Sequence, residues 1–469
     1  MRGTAPHVDL PTAPMSADAS SIAQLAPRIR AGDVSSESLT RACLERIEAD
    51  NPAVNAFITV TAELAIAQAR DADREIAAGT YRGLLHGVPI SLKDIIDVAG
   101  LPTTAASHVR EGHMARTDAV AVQRLRAAGA VIVGKNNLHE FAFGTTNEES
   151  AYGPARHPLD LSRSPGGSSG GSAVSVAAGM AFASIGTDTG GSIRIPSAAC
   201  GLVGLKPSCG EVETTGVVPL SWTLDHVGPL CRSVTDAAIL LDVLRGTSPK
   251  PEATPKPSAI TLGVPRGYLL DRLDTEVAAT FAATCERLRD AGVVLRDVAI
   301  PHAADAGTLY LHIVLAEAAA YHGPTLDAMP EAYHPGVRLR LEMARYVLAE
   351  DYARALRGRA VLTGEVDAAL EGLDGLLLPS LAIPAPKFGT TAVRIGESDE
   401  PIRNAMLRLT QLFNITGHPA LTIPCGTTTE GLPIGAQLVG QRDRTGALLQ
   451  VGRSVESAIW VDGFAVATR

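Results

Sequence analysis

Positive charge and long apolar runs are both scarce in this sequence, and each shortage removes a class of function. Lys and Arg number 41 against 50 Asp and Glu, leaving a net charge of −9 at pH 7. No basic face is available to neutralise phosphates, so nucleic acid is not an expected partner. No stretch of about 18 residues is apolar without a break, which argues against a membrane-spanning helix. The first residues lack the charged-then-apolar order of a secretory leader, so the chain reads as cytoplasmic. The six cysteines, Cys43, Cys200, Cys209, Cys231, Cys285 and Cys425, include no CxxC pair. A chain of this size needs no staples, and reduced core thiols are expected. Cys425, in LTIPCG, has no histidine or second motif to make it a nucleophile. The 12 histidines show no paired ligand spacing, and His139-Glu140 does not extend to HExxH, so neither metal nor another cofactor is expected.

What is present is apolar and glycine-rich: 46% hydrophobic residues and 45 glycines in 469 positions, enough for a large core. Length alone would divide such a chain into two or three domains. Residues 1–17 have no apolar period and read as a disordered tail or an added extension, with Met15 as an alternative start. Helices follow over about 20–31 and 36–49, the second capped by Ser35. From His86 strands and helices alternate: the strand of Lys93, a helix near 119–128 with Asp118 as its cap, then Ala130 to Val133. That order predicts an α/β fold with a parallel or mixed sheet. A helix over 234–245 begins at Ser233, and the proline-rich run from about 246 to 258 reads as a linker. Strands return near 259–264 and 293–299 around a helix at 275–291. Residues 305–372 read as a helical insert that caps a pocket or packs on the core. Further strands are expected at 376–378, 421–423 and 434–439, and a last helix near 444–458.

Chemistry concentrates between Arg163 and Ser208. Two clusters stand there, Gly166-Gly167-Ser168-Ser169-Gly170-Gly171 and Gly190-Gly191-Ser192, each a glycine-flanked loop suited to presenting a hydroxyl. The second follows an apolar strand, Ala181 to Ile185, and the turn Gly186-Thr187-Asp188-Thr189. A strand feeding a glycine turn aims a hydroxyl out of the sheet's carboxyl edge, so Ser192 is the expected nucleophile. The N–H groups of Thr189, Gly190, Gly191 and Ser192 can then converge on one oxygen as an oxyanion hole. Ser168 is the expected bridge, with Ser169 its nearest rival. No histidine attends the clusters, and a buried lysine becomes a base once its pKa falls. Lys93, in Gly87-Val88-Pro89-Ile90-Ser91-Leu92-Lys93-Asp94, is the candidate. By the strand's period of two it shares a face with Ser91, while Asp94 points away. Asp188 is expected to orient the turn. Arg194 either holds a substrate carboxylate or braces the loop.

These three segments, in this order, resemble the amidase signature family, whose Ser-Ser-Lys hydrolases carry the glycine-serine run, a GGSIR segment and an upstream GVP-x-x-x-KD. The resemblance covers about Leu39 to Val461. It implies a large twisted mixed β-sheet covered by helices on both faces, forming a single domain over 18–469 with its signature core at about 60–246. It assigns the same duties to Lys93, Ser168 and Ser192 and to the 189–192 turn, places Gly167 and Ser169 in support, and implies a cis peptide at Gly167-Ser168. The implied activity is hydrolysis of linear amides, aryl amides, carbamates or esters through an acyl-enzyme, by a monomer or homodimer acting on a small molecule. The A subunits of amidotransferases, which supply ammonia to a partner, look similar around the same motifs. They usually carry an aspartate seven residues before the asparagine of N-x-x-G-x-P-A to hold the substrate's amino group. Here Asn414 begins that segment, position 407 is Leu407, and His157 stands in HP where NP is common. A free-standing amidase with a less polar substrate is the reading that follows. Gly166 to Gly170 also satisfies G-x-S-x-G, the α/β-hydrolase elbow, but the preceding Asp160 to Pro165 is polar where an apolar strand is required. P-loop spacing fails because Ser172-Ala173 replaces Lys-Ser/Thr.

Overall fold

β-Branched and leucine-rich runs too short for helices become strands, and nearly all of them enter one sheet. The structure is a computed structural model that describes residues 20–247 and 253–459. In chain order the strands are β1 (Phe57–Val60), β2 (Pro89–Lys93), β3 (Val131–Asn136), β4 (Ala183–Asp188), β5 (Val203–Lys206), β6 (His226–Cys231), β7 (Thr261–Pro265), β8 (Val294–Val298), β9 (Gly375–Pro379), β10 (Ala392–Ile395), β11 (Ser398–Pro401), β12 (Ala420–Thr427) and β13 (Pro433–Val439). Eleven of them share a sheet in the order β1-β3-β2-β4-β6-β5-β12-β13-β9-β7-β8, and β10 and β11 form a separate hairpin.

The sheet is mixed in a regular way. β3, β2 and β4 run parallel on one flank, and β9, β7 and β8 run parallel on the other. Each flank holds a strand-helix-strand unit, with Val120–Ala127 between β2 and β3 and Thr275–Asp290 between β7 and β8. Antiparallel pairs join the flanks through β6, β5, β12 and β13. Every residue of β2, β3, β4, β9 and β13 is buried. Such strands need apolar or fully paired side chains on both faces, and helices cover both.

Strands from before and after the 246–258 stretch pair in this sheet, so that stretch does not separate two sheets; residues 248–252 lie outside the described residues, as does the 1–17 tail. The 305–372 segment forms the helices Ala306–Ala328, Pro335–Ala344 and Ala349–Ala369. Ser35 caps its helix, accepting the Ser38 N–H at 3.1 Å, with Leu39, Cys43 and Ile47 buried one turn apart. Asp118 is not a cap. The helix starts one residue later, after Ala119, and the Asp118 carboxylate accepts the Ala99 N–H at 2.7 Å instead. The cysteines are all unpaired, and five are buried, but Cys209 is exposed on the turn after β5. Among the described residues no helix is long and apolar enough to cross a membrane.

Candidate active site

Parallel pairing of β2 with β4 sets Leu92 opposite Ile185, so the two strands end at the same edge, β2 on Lys93 and β4 on Asp188. The pleat then decides which side chains meet. Ser91 and Lys93 face the segment that runs from Ser168 into the helix Gly170–Ala177: Ser91 Oγ lies 3.0 Å from Ser175 Oγ, and Lys93 Nζ lies 2.7 Å from Ser168 Oγ. Lys93 Nζ also donates to Thr187 Oγ1 at 2.8 Å. Asp94 turns the other way and pairs with Lys135 at 2.8 Å. Lys93 is fully buried, and burial brings its pKa down to about 7 although Asp225 and Asp188 both pull it upward.

The Gly167-Ser168 peptide is cis. Of the two adjacent hydroxyls, Ser168 faces Lys93, while Ser169 donates to the Thr187 carbonyl at 3.1 Å and fastens the cluster to β4. The Ser169 N–H donates to the Ser192 carbonyl at 3.2 Å, which brings the second cluster alongside the first. Ser192 is 6% exposed while Lys93, Ser168 and Ser169 are at zero. Its hydroxyl makes no hydrogen bond among the described residues, so the contact from Ser192 to Ser168 is open and the contact from Ser168 to Lys93 is made. No strand leads directly into the Gly166 to Gly170 cluster, and among the described residues no histidine meets its hydroxyls, unlike an α/β-hydrolase elbow.

The turn after β4 is held from its sides. Thr189 Oγ1 donates to Asp225 Oδ1 at 2.6 Å, and Thr410 Oγ1 donates to the Gly190 carbonyl at 2.6 Å. The N–H groups of Thr189, Gly190, Gly191 and Ser192 have no protein partner among the described residues. Four such donors in succession can receive an anionic oxygen. Glycine is required here on two counts: a Cβ on Gly190 would stand 2.6 Å from Tyr310 Oη, and Gly191 adopts φ +145° with Thr410 Oγ1 2.3 Å from its Cβ position.

Arg194, first residue of the helix Arg194–Ala199, is buried and spends all five N–H donors inside the protein. Nε and one Nη hold the two Asp188 oxygens at 3.0 and 2.9 Å, and the others reach Thr410 O, Gln437 Oε1 and Asn414 Oδ1. None remains for a ligand, so Arg194 braces the loop. Asp188 in turn accepts the N–H groups of Ile193 and Arg194 at 3.1 and 3.4 Å, and Asn414 Nδ2 at 2.8 Å. Burial alone would raise its pKa, but the Arg194 guanidinium and the Asn414 amide outweigh that and hold it well below the usual carboxylate range.

A cavity of about 280 Å³ opens beside the turn, lined by Thr187, Thr189 and Asp225 and walled by Ile95, Leu220 and Trp222 among others. Burial raises Asp225 to about 6 despite hydrogen bonds from Thr189, Leu220 and Ser221. Thr187, Asp225 and Thr410 escaped the sequence reading. Thr187 carried a signal, since it lies near the end of β4 two positions before Thr189; the other two carried none.

The mixed sheet, the glycine turn and a buried lysine beside two serine clusters define a class of α/β protein with these groups gathered at one sheet edge. The chain belongs to the amidase family, whose model matches residues 38–449. It is 38% identical over 467 residues to the A subunit of glutamyl-tRNA(Gln) amidotransferase from Acidobacterium capsulatum, covering 92% of this chain and 97% of that one. It is 39% identical over 452 residues to an amidase of Pseudomonas putida, covering 93% and 95%. A crystal structure of an amidase, 38% identical, superposes with a TM-score of 0.89 over 94% of this chain and all of the other.

Proposed function

We propose that this protein is a serine amidohydrolase that cleaves linear C–N amide bonds through an acyl-enzyme. The observation that carries the reading is Lys93: a fully buried amine near pKa 7, 2.7 Å from a serine hydroxyl, with no carboxylate paired to it. Ser192 Oγ, on the least enclosed of the three residues, attacks the amide carbonyl. Its proton passes to Ser168 Oγ as the Ser168 proton passes to Lys93 Nζ, and the carbonyl oxygen becomes anionic against the N–H groups of Thr189 to Ser192. The ammonium returns its proton through Ser168 to the leaving nitrogen, the C–N bond breaks, and an ester on Ser192 remains. Water then attacks that ester by the same route and releases the acid. Because the hydroxyls of Ser192 and Ser168 do not touch in the free chain, the first step requires Ser192 to turn toward Ser168 when substrate binds. Anilides, carbamates and activated esters enter by the same chemistry. Ser192→Ala is the test: turnover falls at least about a thousandfold and the acyl-enzyme mass shift disappears, with the fold intact. Retention of more than a thousandth of the rate removes Ser192 as nucleophile.

A second reading, as the glutamine-hydrolysing component of an amidotransferase, draws support from the names of several curated relatives. Leu407 speaks against it. That buried leucine stands where such components usually present an aspartate to the substrate's amino group. Glutamine hydrolysis faster than that of every other amide in a panel would favour this second reading.

A further inference from the structure

The buried or half-buried arginines around the oxyanion turn are matched to acids, with one exception. Arg194 holds Asp188 at 2.9 Å, Arg408 pairs with Glu400, and Arg340 pairs with Glu149. Arg403 has no ion pair and no hydrogen bond among the described residues, and its Nε is shut off from solvent without a partner. An arginine cannot discharge itself by giving up a proton, so this half-buried guanidinium with no acid opposite it is an open valence for an anion.

Its position ties it to the reacting centre. Arg403 lies on the short helix Ile402–Leu407, on the same face as Leu407 one turn later. Thr410, just past that helix, links it to the turn: its hydroxyl donates to the Gly190 carbonyl at 2.6 Å and more weakly to the Leu407 carbonyl at 3.3 Å. Arg403 and Tyr310 each exert the largest charge influence on the other, and Tyr310 Oη abuts Gly190. Arg403 therefore approaches, through Tyr310, the same glycine that carries an unpaired N–H, and neither residue lines the 280 Å³ cavity.

We propose that Arg403 anchors a carboxylate on the substrate, so that the enzyme acts on amides carrying a free acid at the end remote from the scissile bond. This rests on the amidohydrolase reading and sharpens it. It also changes the expectation of a less polar substrate that Leu407 alone suggested: loss of an acidic group at 407 removes the grip on an ammonium, and the free guanidinium one turn earlier supplies a grip of opposite sign. A charge-assisted, bidentate pair in a sheltered site favours the acid over a neutral match by about ten- to a hundredfold.

The test has two arms on the full-length protein. In the first, ammonia release is measured for the monoamides of linear dicarboxylic acids of four to seven carbons and for the fatty amides of equal length. The best acid monoamide is expected to exceed its neutral match at least tenfold in kcat/KM, mainly through KM. Arg403→Gln should bring that ratio to near one, and Arg403→Lys should restore part of it. A wild-type preference for neutral amides, or a ratio that Arg403→Gln leaves unchanged, overturns the proposal. In the second arm the Ser192→Ala protein is titrated calorimetrically with the matching free dicarboxylate. Binding is expected, and at least a tenfold loss of it when Arg403→Gln is added, with circular dichroism unchanged. Failure to bind, or binding indifferent to Arg403→Gln, overturns the proposal equally. Should the wild-type protein hydrolyse no amide at all, the amidohydrolase reading falls while the titration still decides the arginine.

Discussion

If Lys93 is the base, the rate must follow its titration. Burial takes this amine from an ordinary 10.5 to about 7, which disfavours the ammonium by on the order of 5 kcal/mol. An unshifted lysine would be neutral in only about one molecule in three thousand at pH 7, whereas this one is neutral in about half, so enclosure raises the working base by roughly a thousandfold. The perturbation is pH, and the assay is kcat/KM on a simple amide between pH 5.5 and 9.5. The logarithm should climb with unit slope below about 7 and level off above it. Asp225 is the strongest force resisting the shift, so Asp225→Asn should move the break to lower pH. Stability follows the same group. The unfolded lysine keeps its proton up to about 10.5 and the folded one sheds it near 7. Across that window the unfolded state binds more protons, so the stability that burying Lys93 costs is recovered as pH rises from about 7 toward 10.5, and Lys93→Met removes that slope. A flat rate profile, a break near 10, or a break that Asp225→Asn moves upward would refute the reasoning.

Other outcomes are equally definite. Lys93→Ala should cost amides more than activated esters, since only a poor leaving amine needs its proton returned; equal losses on the two substrates would count against the acid step. Arg194→Met strands Asp188 as an unpaired buried anion and should lower stability by about 3–5 kcal/mol, read as a fall in denaturant midpoint. Gly190→Ala drives a methyl to 2.6 Å from Tyr310 Oη and displaces the donors of the turn, so kcat should fall by about tenfold or more with a smaller loss of stability than Arg194→Met.

Much of this was legible from local pattern. Alternation along Ser91-Leu92-Lys93 gave the facing of the lysine because a strand's period holds whatever it packs against. Asp188 could be read as the support of its own turn because its contacts to Ile193 and Arg194 lie five and six positions away. Arg194 stayed ambiguous because the acceptors that use up its other donors, Thr410, Asn414 and Gln437, come 216 to 243 residues later. Asp118 misled for the same reason: an aspartate before a helix is ordinarily its cap, but Ala99, 19 residues earlier, had already claimed the carboxylate. Short edge pieces such as β1, four residues long, gave no periodic signal at all.

The reach of Arg194 into Thr410, Asn414 and Gln437 means that the site is not a portable cassette. Lys93, Ser168 and Ser192, the three groups proposed to react, lie within the first 192 positions, yet a fragment ending there would lose the acceptors that keep the 189–192 turn in shape. Variation in substrate choice can instead be written into the later half, between Tyr310 and Thr410, where residues border the turn without belonging to the proposed proton relay.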